Sequence, residues 1–303
     1  MLSIVMLARN VRKSAEQCLH SLQLSIHKLS LESQVEYVLA DDASDAGLEV
    51  APAMVEFRNR TRAPVTVLRF TTRQHYSKAM AHVFSVATGD MVLFVSHDML
   101  VTPAYIRTLL AVAAMDKSFG IVRGTSTFVD CFPQHVIKPA MPPRSMDDVF
   151  DFSEYVANFF GMATEPDALL TGDSMLIQRA VFDKIGVFDS KYYGYFGDID
   201  FGVRAVRAGF KMVCAKGAWL LHEGAAFYRQ QGTGTDGKAV HEARMKVVNA
   251  AYLVFRDKWD RNLPPQYQTF AQIDYGAIAR GPAPVGGEFE KPILPDAGIC
   301  QMI

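Results

Sequence analysis

Apolar residues come in two spacings along the chain. Residues 2–7, 35–40, 65–70 and 91–95 form short, nearly unbroken apolar runs. Runs of that length suit strands covered on both faces, as in a parallel sheet. After the first run, Leu19, Leu22, Ile26 and Leu29 recur at helical spacing. Strand, helix and strand in alternation predict βαβ units, and open sheets of that kind bind ligands outside the C-terminal ends of their strands. Those ends are polar here: Ala8-Arg9-Asn10, then Asp41-Asp42, then Ser96-His97-Asp98.

The second half keeps the same grammar. Thr102-Pro103 opens a helix with proline at its first position and an apolar face of Ile106, Leu109, Leu110 and Val112. Residues 119–128 read as a strand or strand pair. Residues 130–152 carry Pro133, Pro139, Pro142 and Pro143 without a clear period, which predicts a surface excursion. The aromatic residues Phe150, Phe152, Tyr155, Phe159 and Phe160 read as core packing in preference to a sugar platform. A strand at 175–177, a short helix at 179–185 and an aromatic turn at 192–196 lead to Gly197-Asp198-Ile199-Asp200. Helical spacing then runs from 201 to 208, and Gly209 stands where a glycine stops a helix. A final short run, 219–221, delivers His222. Residues 223–237 are glycine-rich, 241–258 form an amphipathic helix (Met245, Val248, Tyr252, Phe255), and the last forty or so lack a period.

The chain of 303 residues is half apolar and carries a net charge of −1, enough for one large or two small domains and without the basic excess of a nucleic-acid partner. No apolar run reaches membrane-spanning length, and the start lacks a signal pattern. The four cysteines have no metal or disulfide spacing, which points to a reducing cytoplasm. Asp198 and Asp200 at a helix entrance, with an imidazole at a strand end about twenty residues later, are suited to sharing one cleft. Asp200 stands four residues before Arg204, the spacing of a helical ion pair.

Residues 172–222 resemble the second half of the inverting GT-A glycosyltransferases of family 2, in the rhamnosyltransferase-like group. The matching positions are Gly172, Leu176-Ile177-Gln178-Arg179, Phe182, Gly186-Val187-Phe188-Asp189, Tyr195-Phe196-Gly197-Asp198-Ile199-Asp200-Phe201, Arg204, Gly209 and His222. Phe255 to Trp259 is similar to the family's F-x-x-K-W ending, so the likeness spans roughly 2–259. Gly197 stands where the family has glutamate, and Ser96 where it has the first acid of D-x-D.

The resemblance implies an α/β GT-A (Rossmann-like) fold: a mixed, mostly parallel sheet flanked by helices, with a helical and Pro/Gly-rich C-terminal extension. It divides the chain into a domain of 1–223, with a nucleotide-sugar half (1–98) and an acceptor half (99–223), and a tail of 224–303. It implies transfer of a sugar from a nucleotide-diphosphate donor to a saccharide or lipid-linked saccharide, with inversion, in bacterial surface polysaccharide synthesis. The protein would sit in the cytoplasm or at the inner face of the membrane. Asp198 takes the role of catalytic base. Ala8, Asn10, Asp42, Arg73, Lys78, His97 and Arg229 fall to the donor, and Asp173, Gly197 and Asp200 to the acceptor. Asp98 and His222 fall to a divalent metal, Mn or Mg. His97 is either a donor contact or a buried, satisfied imidazole. A fold that has lost its chemistry and a nucleotidyltransferase are the rival classes; the second expects a glycine-rich loop after the first strand, and Ala8-Arg9-Asn10-Val11 is not one.

Overall fold

The computed structural model describes residues 1–129, 133–167, 173–223, 237–284 and 297–303. Four parallel strands form the first part of a ten-stranded sheet: β1 (Leu2–Ala8), β2 (Val35–Asp41), β3 (Val65–Phe70) and β4 (Met91–Val95). Between them run α1 (Arg12–Lys28), α2 (Ala51–Arg60) and α3 (Tyr76–Val86). From β1 the chain moves outward to β2 and β3. It then crosses back through α3 to place β4 on the other side of β1. That reversal is a topological switch point, and its crevice lies outside the C-terminal ends of β1 and β4.

The second half continues the same sheet. It adds β5 (Met99–Leu100), α4 (Pro103–Met115), β6 (Phe119–Ser126), α5 (Met146–Phe160), β7 (Thr164–Pro166), β8 (Ser174–Gln178), α6 (Arg179–Ile185), α7 (Gly197–Arg207) and β9 (Lys211–His222). Strand β8 lies antiparallel between β4 and β6, β9 runs parallel to β6, and the short β5 and β7 pair antiparallel with β9. The tail contributes α8 (Gly237–Trp259), α9 (Tyr275–Arg280) and β10 (Cys300–Met302), the last antiparallel to β3 at the sheet edge.

Alternate strand residues feed two apolar layers, as a pleated sheet covered on both faces requires. Ile4, Met6, Tyr37 and Leu39 pack with α1, α2 and α4. Val5, Val38, Ala40 and Ile177 face α3, α6 and α7. A third cluster sets Val248, Tyr252 and Phe255 of α8 and Ile278 of α9 against Ile199 and Val203 of α7, with Tyr192 and Phe196 between them. The C-terminal helices therefore buttress α7 and the aromatic turn before it.

Two expectations need correction. The aperiodic stretch ends at Ser145, not 152: Ser145 caps α5 by accepting from the Asp148 N–H, and Asp147 and Asp148 favour the positive end of the helix. All four prolines precede that cap. The aromatic set also divides, because a helix spreads such spacings around its surface. Phe150 is buried, whereas Tyr155 and Phe159 are 62% and 69% exposed. Among the described residues, no helix is long and apolar enough to cross a membrane.

Candidate active site

Strand ends from both halves meet at the switch point. Asp41, the last residue of β2, is buried and accepts from the N–H groups of Ser44, Val50 and Ala51, which anchors the start of α2. Asp42 turns the other way. Its Oδ1 accepts from the Gln74 N–H at 2.6 Å and its Oδ2 from the His75 N–H at 2.9 Å. Burial raises its pKa, opposed by those two N–H groups. Asp42 thus ties β2 to the entrance of α3. Ala8 is buried, and its carbonyl accepts from the Asp42 N–H. Asn10, at φ 59°, exchanges two hydrogen bonds with Asp45. Arg73 is exposed and Lys78 half-buried, both at the α3 entrance.

His75 sits there with φ 63° and ψ 168°. Only glycine reaches that region freely; a side chain held there costs about 1–3 kcal/mol. Its ring lies 3.6 Å, centroid to centroid, from that of Tyr193.

At the end of β4, Ser96 donates to Asp98 Oδ1 at 2.9 Å, and His222 Nε2 lies 3.4 Å from the same oxygen. Residue pairing explains the meeting: Met99 of β5 stands opposite His222 of β9. Burial would raise the Asp98 pKa, but the hydrogen bond and charge of His222, with help from His97 and Ser96, hold it well below the usual carboxylate range. Burial likewise opposes charge on His222, and Asp98 outweighs it, raising that pKa. The other His222 nitrogen, Nδ1, lies 2.8 Å from the Phe128 carbonyl, which fixes the ring and turns Nε2 toward Asp98. His97 is kept neutral chiefly by burial and donates to the Leu7 carbonyl. Its Nε2 is buried with no partner among the described residues, so a lone pair is left for a ligand.

Asp198 lies half-buried in the first turn of α7, where its Oδ1 accepts from the Ile199 N–H at 2.9 Å. Gly197 packs onto α3. A Cβ there would overlap Ser77 Oγ and lie 2.8 Å from Ser77 Cβ, so any larger side chain lacks room. The neighbouring Tyr76 hydroxyl is buried and unpartnered among the described residues. Burial first, then the charges of Asp198 and Asp173, push its pKa up, so it stays a neutral phenol beside both carboxylates. Asp173 joins the two ends of the site. Its carbonyl accepts from the Ser96 N–H, and its charge acts on Tyr76 at one end and on His222 at the other. Its carboxylate is held by Arg123 Nη2 at 3.0 and 2.8 Å. Asp98, just past β4, and Asp198, beside the Gly197 that packs on the α3 entrance, therefore lie toward the same edge of the sheet.

Asp200 does not. It is fully buried, with Arg204 Nε at 2.8 Å, Lys258 Nζ at 2.8 Å, Trp259 Nε1 at 2.8 Å and the Tyr192 hydroxyl at 3.1 Å. Burial raises its pKa, and the charges of Arg204 and Lys258 reverse that and lower it. Its expected acceptor contact gives way to a structural one, because its helix face looks toward α8. Gly172, Arg229 and most of the glycine-rich loop lie outside the described residues. Sequence reading missed Tyr76 and Lys258. The first lay inside a segment read for its cations, and the second was read as part of the F-x-x-K-W ending and given no role.

One further group, His135, Glu165 and Cys214, brings three ligand atoms within 4.8 Å of one another. His135 Nε2 lies 3.0 Å from Glu165, whose other oxygen faces Lys216 at 3.3 Å. Burial pushes the Cys214 thiol up to about 12. Cys214 pairs with Arg123, whereas His222 bonds Thr127, four residues further on and just past the end of β6. At ~3.3 Å per residue the two groups are about 13 Å apart, so one ion cannot serve both.

A family model described as "Glycosyltransferase like family 2" matches residues 3–245. An N-acetylglucosaminyl-diphospho-decaprenol L-rhamnosyltransferase of Mycobacterium tuberculosis is 34% identical over 71 residues, 23% of this chain and 22% of that protein. The O-antigen biosynthesis protein RfbC of Myxococcus xanthus is 24% identical over 179 residues, 55% of this chain and 13% of the relative. The chain thus spans less than a quarter of the length of these relatives. Among solved structures, the mannosyltransferase PcManGT of Pyrobaculum calidifontis, in complex with GDP-Man and Mn2+, superposes with a TM-score of 0.58. That match has 13% identity and covers 92% of this chain and 68% of that one. S. aureus TarS 1-349 in complex with UDP gives 0.51 at 16% identity, covering 73% and 59%. At such identities the likeness shows the fold, and the fold is GT-A.

Proposed function

Because the chain belongs to glycosyltransferase-like family 2, we propose that it transfers a sugar from a nucleoside-diphosphate donor to a hydroxyl, with inversion, in bacterial surface polysaccharide synthesis. The observation that carries this reading is the bridge at Asp173, which brings Asp98 with His222 and Asp198 with Tyr76 to one edge of the sheet. The donor nucleotide occupies the crevice beyond β1, β2 and β4, with the base toward Asp42 and Asn10 and the diphosphate toward Asp98. His97 Nε2 accepts from a donor hydroxyl, while Arg73 and Lys78 supply positive charge from the α3 entrance.

The residues fit a divalent ion: a carboxylate and an imidazole nitrogen converge, each oriented by a second hydrogen bond. Asp98 and His222 would hold it, and when bound it would offset the charge gathering on the leaving diphosphate. Asp198 removes the proton from the acceptor hydroxyl as its oxygen bonds to the anomeric carbon. The bond from that carbon to the phosphate oxygen breaks, and its electron pair leaves with the diphosphate. A single displacement inverts the anomeric centre.

The M. tuberculosis relative is named for a diphospho-decaprenol substrate, which supports a lipid-linked saccharide as acceptor. Asp198→Asn tests the assignment. Calorimetry with UDP, GDP and dTDP in the presence of Mn2+ should show nucleotide binding unchanged, while transfer falls by about 10²–10⁴-fold. Undiminished product formation would remove Asp198 from the role, and NMR of the product's anomeric proton decides inversion.

A further inference from the structure

The strained residue at the α3 entrance has no way to relax. The His75 N–H is committed to Asp42, and its carbonyl accepts from the Ala79 N–H at 2.9 Å as the first bond of the helix. A glycine would make both bonds without strain at φ 63° and ψ 168°. What glycine would lack is the imidazole, and the imidazole's neighbour is Tyr193, with the ring planes 37° apart. Tyr193 is 53% exposed, so ordinary core packing is not the reason for the contact. Burial first, then the charges of Arg73 and Arg9, hold the imidazole down at about 4. It therefore meets Tyr193 as a flat neutral ring.

Tyr193 belongs to the turn 192–196, which passes directly into Gly197 and Asp198. Tyr192 and Phe196, on either side, are fixed from behind by the C-terminal aromatic cluster. In front, facing the donor side, the ring of His75 is the aromatic contact that Tyr193 makes among the described residues.

We propose that His75 is a positioning residue for transfer: its ring, carried on a backbone suited to glycine, braces Tyr193 and so sets the Asp198 turn against the acceptor. The inference rests on Asp198 being the base. A carboxylate misplaced by about 1 Å loses rate on the order of 10²-fold, so a brace of this kind acts on kcat and leaves donor binding alone.

The full chain with His75→Gly tests it. Relief of strain raises Tm by about 2–6 °C, while kcat falls about tenfold or more and the nucleotide Kd from calorimetry stays within about twofold. His75→Asn, which keeps a side chain on the same backbone but carries no ring, loses kcat in the same way; His75→Phe recovers most of it. Tyr193→Ala, at an exposed position, gives the same kcat loss as His75→Gly, and the double variant loses no more than either alone. A His75→Gly enzyme with undiminished kcat overturns the proposal. So does a fall in its Tm, since the ring would then be simple packing. An active Asp198→Asn enzyme, by contrast, removes the base itself whatever His75 does.

Discussion

Asp200 and Asp198 differ by two positions and live in opposite surroundings. Removing the Asp200 carboxylate leaves Arg204 and Lys258 without their shared counter-charge, and Asp200→Ala should destabilise the fold by about 3–5 kcal/mol in urea melts. The pH dependence follows from its lowered pKa. Its contribution is fully present above the unfolded value of about 4 and is lost as pH falls through the lower folded value. Asp200→Asn should therefore flatten the loss of stability below about pH 4; an unchanged acid limb would assign that limb to other groups. The pairing with Arg204 was legible, because four residues on a helix fix it locally. Lys258 and Trp259 were not, since nothing local records which distant helix end arrives at Asp200. The same holds for Tyr76, whose hydroxyl matters only because Asp173 and Asp198 come to it from another part of the chain.

Elements show a second kind of dependence. The entrances of α3 and α7 approach each other through Ser77 and Gly197, and the absent Cβ of Gly197 makes the approach possible. Gly197→Ala forces the two helices apart and should cost about 1–3 kcal/mol by overpacking, besides lowering kcat through displacement of Asp198. Ser77→Gly should restore part of both losses in the double variant, because Ser77 Cβ is one of the atoms in the way. If the two substitutions are merely additive in Tm and kcat, the contact is not the cause. This accounts for the glycine at 197, and only the approach of two helices reveals it. The long parallel strands were readable from unbroken apolar runs covered on both faces. The edge strands β5, β7 and β10 span two or three residues each and exist because a partner pairs with them. The cap at Ser145 was present in the sequence, obscured by the prolines before it.

At the scale of the whole molecule, the two halves of the chain share one sheet, with β8 of the second half hydrogen-bonded between β4 and β6. The proposed donor site draws on the ends of β1, β2, β4 and β9, so a bound nucleotide would hold strands from both halves together. A ligand that binds the folded chain alone stabilises it by about 2.7 kcal/mol at a hundred times its Kd, whatever the starting stability. A nucleoside diphosphate with Mn2+ should therefore raise Tm, and either component alone should raise it much less. Asp98→Ala should abolish the joint shift. Asp200→Ala should start from a lower Tm and still show the full shift, since its carboxylate faces α8 and not the strand ends. Thermal melts of the three proteins, each with and without the two components, separate the site from its scaffold. A joint shift that survives Asp98→Ala would move the ion away from Asp98 and His222, and the His135–Glu165–Cys214 group would be the next place to look for it.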